Sequence, residues 1–188
     1  MRKWLLWVSC AMLVLLVLPV GVLAGTTVTG PSGLLTLPTA DALTAGELSM
    51  AYHLEDGKGI GSLAYGLTGS IEAGLLAGPQ DPKLGVHAKV VLSQEGTSLP
   101  GVAVGLCGDS LYMVASKRLA SAGVRGHVGV GTGRYDGLFL GVSKMLNPVT
   151  VDAGLRDTGM PATLLAVEYI KGRFNVGVDV LLSPQIRI

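Results

Sequence analysis

Residues 101–119 read GVAVGLCGDSLYMVASKRL, and this stretch decides the fold class. Two runs alternate between large apolar residues and small or polar ones, and Gly108-Asp109 separates them. Alternation with a period of two predicts β-strands with one apolar face, and a glycine-containing pair between two such runs predicts a tight hairpin. The stretch therefore predicts two antiparallel strands joined by a short turn.

The same pattern recurs from residue 46 to the C-terminus. Turn residues at Asp56-Gly57, Thr68-Gly69, Asp136-Gly137 and Lys171-Gly172 predict further tight hairpins. We predict an all-β, antiparallel up-and-down meander of about ten strands, closed as a barrel because an open meander leaves two exposed edges. The predicted strands are Gly46–Glu55, Ile60–Leu67, Ser70–Ala77, Lys83–Ser93, Gly101–Cys107, Ser110–Leu119, Val124–Thr132, Gly137–Leu146, Thr163–Ile170 and Arg173–Leu182.

The N-terminal segment is set apart from this fold. Two basic residues, Arg2 and Lys3, precede a long apolar run that ends in Val-Leu-Ala, with cleavage predicted after Ala24. We therefore predict a signal peptide over residues 1–24 and an exported protein. The alternative is a retained membrane anchor, because the run is about as long as a membrane helix. Pro19 and Gly21 favour cleavage.

Composition excludes several classes of protein. Cleavage would change the formal net charge from +1 to about −1, so no basic excess predicts a nucleic-acid partner. Cys107 would be the one cysteine left, which excludes a disulfide scaffold. Glycine is 28 of 188 residues and charged residues are 14%, which is too few charges for an ordinary soluble surface.

The two faces of the predicted strands differ in a way that bears on location. One face is aliphatic, and the other carries mainly glycine, alanine, serine and a few charges. In a soluble barrel the aliphatic face fills the core, whereas in a membrane barrel it meets lipid. We therefore predict a transmembrane barrel in the outer membrane of a two-membrane bacterium, with the bilayer and the outer-membrane assembly machinery as partners. The alternative is a soluble periplasmic or secreted barrel that binds a small ligand.

The polar face carries the candidate functional residues. We predict that they form a network in the lumen, which either occludes the barrel or selects ions, and simple structural pairing is the alternative. The three histidines, including His53, fall on the first, fourth and seventh strands, so no metal site is predicted. We find no catalytic signature and predict neither a cofactor nor an enzyme activity. The network residues are Glu72, His87, Lys89, Arg125, His127 and Asp179.

Two motifs carry a family resemblance: GPSGLLTLPTAD over residues 30–41 and GTGRYDG over residues 131–137. Together they resemble the YjbH-like family of outer-membrane β-barrel proteins, as a short single-barrel member. The resemblance implies an outer-membrane location and a link to exopolysaccharide export, with polysaccharide or other envelope proteins as partners. The motif positions are Gly33, Pro38, Thr39, Asp41, Gly133, Arg134, Asp136 and Gly137.

Residues 25–45 form a lead-in that precedes the predicted barrel domain, residues 46–188. The apolar residues of this lead-in predict that it plugs the lumen or packs on the periplasmic rim, and a disordered leader is the alternative. Asp41 is predicted to cap a short turn over Ala42–Ala45. At the second motif, Arg134 and Asp136 are predicted to form a turn salt bridge or to contact a ligand.

Overall fold

A single antiparallel sheet contains every strand in the described part of the protein. The computed structural model describes residues 25–55, 57–78, 84–119, 123–146, 162–183 and 186–187, and the predicted signal peptide lies outside these ranges. The strands pair in the order of the chain, so each hydrogen-bonds to its sequence neighbours. They are β1 (Leu48–Glu55), β2 (Lys58–Thr68), β3 (Ile71–Ala77), β4 (Leu84–Ser93), β5 (Gly101–Cys107), β6 (Ser110–Leu119), β7 (Val124–Gly131), β8 (Gly137–Leu146), β9 (Ala162–Ile170), β10 (Arg173–Ser183) and β11 (Ile186–Arg187).

The predicted all-β meander is confirmed. Strands β5, β6 and β8 have the predicted bounds, the others differ by one or two residues at an end, and the short β11 is additional. The β9–β10 turn shows why these hairpins form where they do. Lys171 and Gly172 have φ angles of 51° and 75°, and two consecutive left-handed residues match the right-handed twist of the flanking strands.

The connection between β7 and β8 differs from the prediction of a tight Asp136-Gly137 hairpin. It spans residues 132–136 and contains a 3₁₀ helix, Gly133–Tyr135. Gly133 has a φ of 59°, which a glycine adopts at little cost. The turn folds inward because Tyr135 is fully buried beneath it. The connection is therefore a loop with a buried aromatic side chain, and not the short polar turn that was predicted.

The sheet is strongly curved around the lead-in. Ser32 donates to Glu72 of β3, and Leu35 donates to Glu168 of β9. Three residues of chain span at most about 11 Å, whereas β3 and β9 of a flat sheet would be about 29 Å apart at the usual strand spacing. Both ends of the sheet must therefore bend towards the same short segment, which is the curvature of a barrel wall.

Closure by hydrogen bonding is not present in the described part of the chain. β1 pairs with β2 alone, and β10 pairs with β9 and, at its end, with β11. The predicted ladder between the first and last long strands is therefore not formed among these residues. Within the described ranges, no helix is long and apolar enough to cross a membrane.

The two faces of the sheet have opposite environments. Large aliphatic and aromatic side chains are exposed on the outer face of the long strands; examples are Leu54 at 73%, Leu84 at 63%, Val128 at 46% and Val176 at 75% exposure. Charged and polar side chains of the inner face are buried against the lead-in. The aliphatic face of the sheet therefore points outward, as expected.

Candidate functional site

A buried ion pair lies on the inner wall, on the neighbouring strands β3 and β4. Glu72 of β3 and Lys89 of β4 occupy directly paired positions. Lys89 Nζ lies 3.2 Å from Glu72 Oε1, and both side chains are 0% exposed. Direct cross-strand pairing brings opposite charges close together, but removing both charges from water is costly unless further hydrogen bonds satisfy them.

The lead-in supplies those hydrogen bonds. Glu72 accepts from the Ser32 amide at 2.8 Å, the Ser32 hydroxyl at 2.7 Å and the Leu43 amide at 2.9 Å. Lys89 Nζ donates to the Ser32 carbonyl at 2.6 Å and the Asp41 carbonyl at 2.7 Å. The wall provides the charges and the lead-in provides the partners, so neither would be satisfied alone.

A second carboxylate, Glu168 of β9, holds the opposite side of the lead-in. It accepts from three consecutive amides, those of Leu35 at 2.9 Å, Thr36 at 3.1 Å and Leu37 at 3.1 Å. The Thr36 hydroxyl also donates to it at 2.6 Å. Glu168 is 1% exposed, and hydrogen bonds to an ionised acceptor are the stronger kind. This carboxylate therefore fixes the bend of the lead-in against the wall.

A third attachment is more exposed. Arg125 of β7 makes a two-pronged contact with Asp41 of the lead-in, and its Nη2 also lies 2.8 Å from Glu95 in the β4–β5 loop. Burial works to raise the pKa of Asp41, but the Arg125 guanidinium, the Lys89 ammonium and the Thr39 hydroxyl together hold that pKa below its usual value. Asp41 does not cap Ala42–Ala45 as predicted, because its carboxylate is engaged by Arg125. Glu47 bonds the Thr44 amide instead, at 2.9 Å.

The histidines are kept apart by the sheet. His127 lies between two serine hydroxyls, with Nδ1 2.8 Å from Ser116 and Nε2 3.1 Å from Ser143. His87 Nε2 is 3.2 Å from the Leu63 carbonyl, and His53 is half-buried on β1. In the described residues, no group of three His, Cys, Asp or Glu side chains has an arrangement that would hold a metal ion.

An aromatic cluster lies at the end of the lumen where the β5–β6 turn is found. The rings of Tyr112 and Tyr135 meet edge to face at 5.0 Å, and Phe139 lies 6.1 Å beyond. The Tyr135 hydroxyl is 2.8 Å from the Thr29 hydroxyl, and the Cys107 thiol donates to the Thr29 carbonyl. Burial raises the pKa of Tyr135. The cluster therefore anchors the start of the lead-in.

The second family motif serves this cluster. Gly133 and Arg134 belong to the 3₁₀ helix that buries Tyr135, and the Arg134 amide donates to Ser110 Oγ at 2.8 Å. Gly137 opens β8 with a φ of 82°. Arg134 and Asp136 do not form the predicted salt bridge, since both are described and no ion pair joins them. The turn is held instead by the buried side chain of Tyr135 and by the hydrogen bond from the Arg134 amide to Ser110.

The first family motif shapes the lead-in itself. Gly33 and Pro38 form a bridge across a tight bend, and a Cβ on Gly33 would overlap the Leu37 carbonyl. Thr39 Oγ1 donates to Asp41 Oδ2 at 3.1 Å. These residues therefore have structural roles in the bend and in the Arg125 attachment.

Glycines on the inner wall make room for the lead-in. A Cβ on Gly177 of β10 would overlap the Leu35 side chain, and one on Gly66 of β2 would overlap the Thr44 carbonyl. Glycine inside a strand is unfavourable unless another group must approach closely. Glycine at these two positions therefore lets the wall pack closely against its own N-terminal segment.

The predicted lumen network is only partly assembled as one unit. The structure brings Glu72 and Lys89 together, places Arg125 in a separate attachment, and leaves Asp179 half-buried on β10. Glu168 was not predicted as a site residue, although it is the only acidic residue in the apolar run 162–170. Ser32, Glu95 and Ser116 were also missed, since no local pattern reveals contacts across the lumen.

No protein-family model matches this chain, no curated protein matches it, and no solved structure matches it. The resemblance to YjbH-like proteins therefore stays a prediction that depends on the two motifs.

Proposed function

We propose that this protein is a small outer-membrane β-barrel with a structural role in the cell envelope, its interior filled by its own lead-in. One observation carries the proposal: the aliphatic face of the sheet points outward and the ionisable face is buried. Soluble monomers rarely expose contiguous apolar patches larger than a few hundred Å². Here exposed apolar side chains occur along strands from β1 to β10, and a bilayer would cover them all.

Strand length is consistent with this proposal. The long strands contain 7–11 residues, and a tilted transmembrane strand needs roughly 9–11. The fully buried charges are also where lipid would require them, whereas Lys144 lies on the outer face near the end of β8. Glu72, Lys89 and Glu168 lie on the inner wall, at 0–1% exposure, so none of the three would face hydrocarbon.

The filled interior supports a structural role over an open pore. The described part of the lead-in runs from the Thr29–Tyr135 contact at one end of the lumen to the Asp41–Arg125 ion pair near the other. Glu72, Lys89, Arg125 and Glu168 all bond to it. The proposal assigns no catalysis to these groups, because their bonding capacity is used within the chain. An involvement in exopolysaccharide export is part of the proposal only through the family resemblance.

Gel mobility with and without boiling tests the proposal, on membrane fractions prepared from cells that express the whole chain. We expect a band in the detergent-extracted outer membrane whose mobility changes on heating. Recovery in the soluble periplasmic or secreted fraction, with no mobility change, would instead favour the soluble ligand-binding barrel and overturn the proposal.

A matched pair of variants tests the outer face directly. Val128→Arg places a charge on the proposed lipid-facing surface, which costs about 2–4 kcal/mol at the bilayer midplane. Thr97→Arg places the same charge in the exposed β4–β5 loop. We expect the first change to reduce the heat-modifiable band strongly and the second to leave it unchanged. Equal behaviour of the two variants would contradict the assignment of the faces.

A further inference from the structure

The lead-in is a folded unit in its own right. Its backbone bonds are internal, including Thr27 N to the Pro31 carbonyl at 2.7 Å and Val28 N to the Leu35 carbonyl at 2.8 Å. The ladders that join β1 through β10 use none of its residues. Withdrawal of the lead-in would therefore break no strand pairing.

The lead-in is attached to the wall mainly through side chains. Among the described residues, backbone-to-backbone bonds between this end of the chain and the sheet occur only where Gly46 donates to Gly66 at 2.8 Å and Gly66 donates to Glu47 at 2.9 Å. Gly46 has a φ of 81° within a turn, and no atom lies within 4 Å of the position its Cβ would take. A glycine with open space around it therefore lies where the lead-in meets the sheet.

The inner face of the wall carries more carboxylates than cations. The described strand residues with buried or half-buried charged side chains on this face are three carboxylates and two cations, a formal net charge of −1. Without the lead-in, Glu72 keeps Lys89 as a partner, but Glu168 loses every hydrogen bond described for it, because all the donors belong to residues 35–37. The wall groups are Glu72, Lys89, Arg125, Glu168 and Asp179.

We propose that the lead-in is a plug hinged at Gly46, and that its withdrawal opens a path for small cations whose selectivity is set by Glu168. Carboxylates that line a narrow lumen favour cations over anions. The inference rests on the proposed function, since conduction requires a membrane-spanning barrel. It extends that function from a permanently filled barrel to one that conducts when the plug leaves.

Planar-bilayer recording in a KCl gradient tests the plug. Ser32→Ala with Asp41→Asn removes a hydroxyl that bonds Glu72 and the ion pair with Arg125. We expect the open time to rise about tenfold to a hundredfold over the unchanged protein. Asp136→Asn is the matched control, because this aspartate is exposed in the β7–β8 turn, and it should leave the open time unchanged.

A reversible lock separates plug movement from other causes of conduction. Thr36 Oγ1 lies 3.3 Å from Asn175 Nδ2, so Thr36→Cys with Asn175→Cys, in a Cys107→Ser background, places two thiols that a short bis-methanethiosulfonate cross-linker should join, which ties the plug to β10. Cross-linking should silence the openings of the unlocked protein, and a reductant should restore them. Openings that persist in the cross-linked form would overturn the inference.

Selectivity is measured in the same recordings. In the Ser32→Ala, Asp41→Asn background the ratio of K⁺ to Cl⁻ permeability should exceed one, and adding Glu168→Gln should bring it close to one. Anion selectivity would refute the proposed path. If the double variant fails to assemble, Asp41→Asn alone gives the same comparison. A heat-modifiable but silent protein in every variant overturns only the plug, whereas loss of heat modifiability in the unchanged protein overturns the proposed function.

Discussion

Replacing either member of the buried pair Glu72–Lys89 should destabilise the protein severely. Lys89→Met leaves a carboxylate inside the wall, and Glu72→Gln leaves an ammonium there, each without its opposite charge. Both side chains are 0% exposed, so water cannot compensate the remaining charge. Removing one member of a buried ion pair lowers the free energy of unfolding by about 3–5 kcal/mol. We expect a loss of this size from each single change.

The double variant Glu72→Gln, Lys89→Met should lose less than the two single losses combined. Neither charge remains, and the glutamine carbonyl replaces one of the two carboxylate oxygens that accept from the Ser32 and Leu43 amides. A double-mutant cycle should therefore give a coupling energy of about 2–3 kcal/mol. Lys171→Met is the matched control, because Lys171 is exposed in the β9–β10 turn, and its effect should stay within about 0.5 kcal/mol.

Urea unfolding in detergent or vesicles, followed by far-UV circular dichroism, measures these energies. Circular dichroism is preferred because both tryptophans precede residue 25, which leaves the predicted mature chain without one. Additive single losses, or single losses below about 1 kcal/mol, would refute the reasoning. Either outcome would mean that the pair is hydrated.

Three further changes test other contacts, each by the same unfolding measurement. Gly177→Ala should lower the free energy of unfolding by about 1–3 kcal/mol, because the new Cβ would overlap the lead-in. Gly61→Ala should leave it unchanged, because the nearest atom to a Cβ there is the Ala77 carbonyl oxygen at 3.9 Å. Equal effects of the two variants would contradict the packing of the lead-in against β10. Tyr135→Phe should cost about 1 kcal/mol by removing its hydrogen bond to the lead-in, and no loss would mean that water replaces this bond. The lowered pKa of Asp41 means that its ion pair stabilises the fold above the usual value of 3.8, and that this contribution disappears as the pH falls through the lower folded value. The difference between wild type and Asp41→Asn should therefore be constant from pH 7 to about pH 5 and vanish in stronger acid; a difference that vanished nearer neutral pH would contradict the lowered pKa.

Local patterns predicted the strands well because strand formation here is a local matter. Alternation of Val and Leu with small residues, bounded by glycine-containing turns, gives β5, β6 and β8 their observed ends. The β7–β8 connection was predicted wrongly for the opposite reason. Its conformation depends on Tyr135 reaching a core that distant residues form, and the motif itself contains every sign of an ordinary tight turn.

The candidate site was predictable only in part. Side chains alternate between the two faces of a strand, and this alternation places Glu72 and Lys89 on the same side of the sheet. The hairpin that joins β3 and β4 then predicts that the two residues pair. The partner of Glu168 does not follow from any spacing, because it binds backbone amides more than 130 residues away. Because these donors are backbone amides, the identities of residues 35–37 do not reveal the contact.

The distant contacts of the lead-in also have a consequence for the order of folding. The hairpins of the sheet join neighbours along the chain and close small loops, whereas Ser32, Ala40 and Leu37 find their partners 40, 76 and 131 residues later. Loop-closure entropy disfavours such contacts until the intervening chain is ordered. The segment that comes first in the chain is thus the last to find its place, because its contacts with the wall form only after β9 has formed. Slow maturation of this protein would accordingly be expected in its N-terminal segment, after the strands have paired.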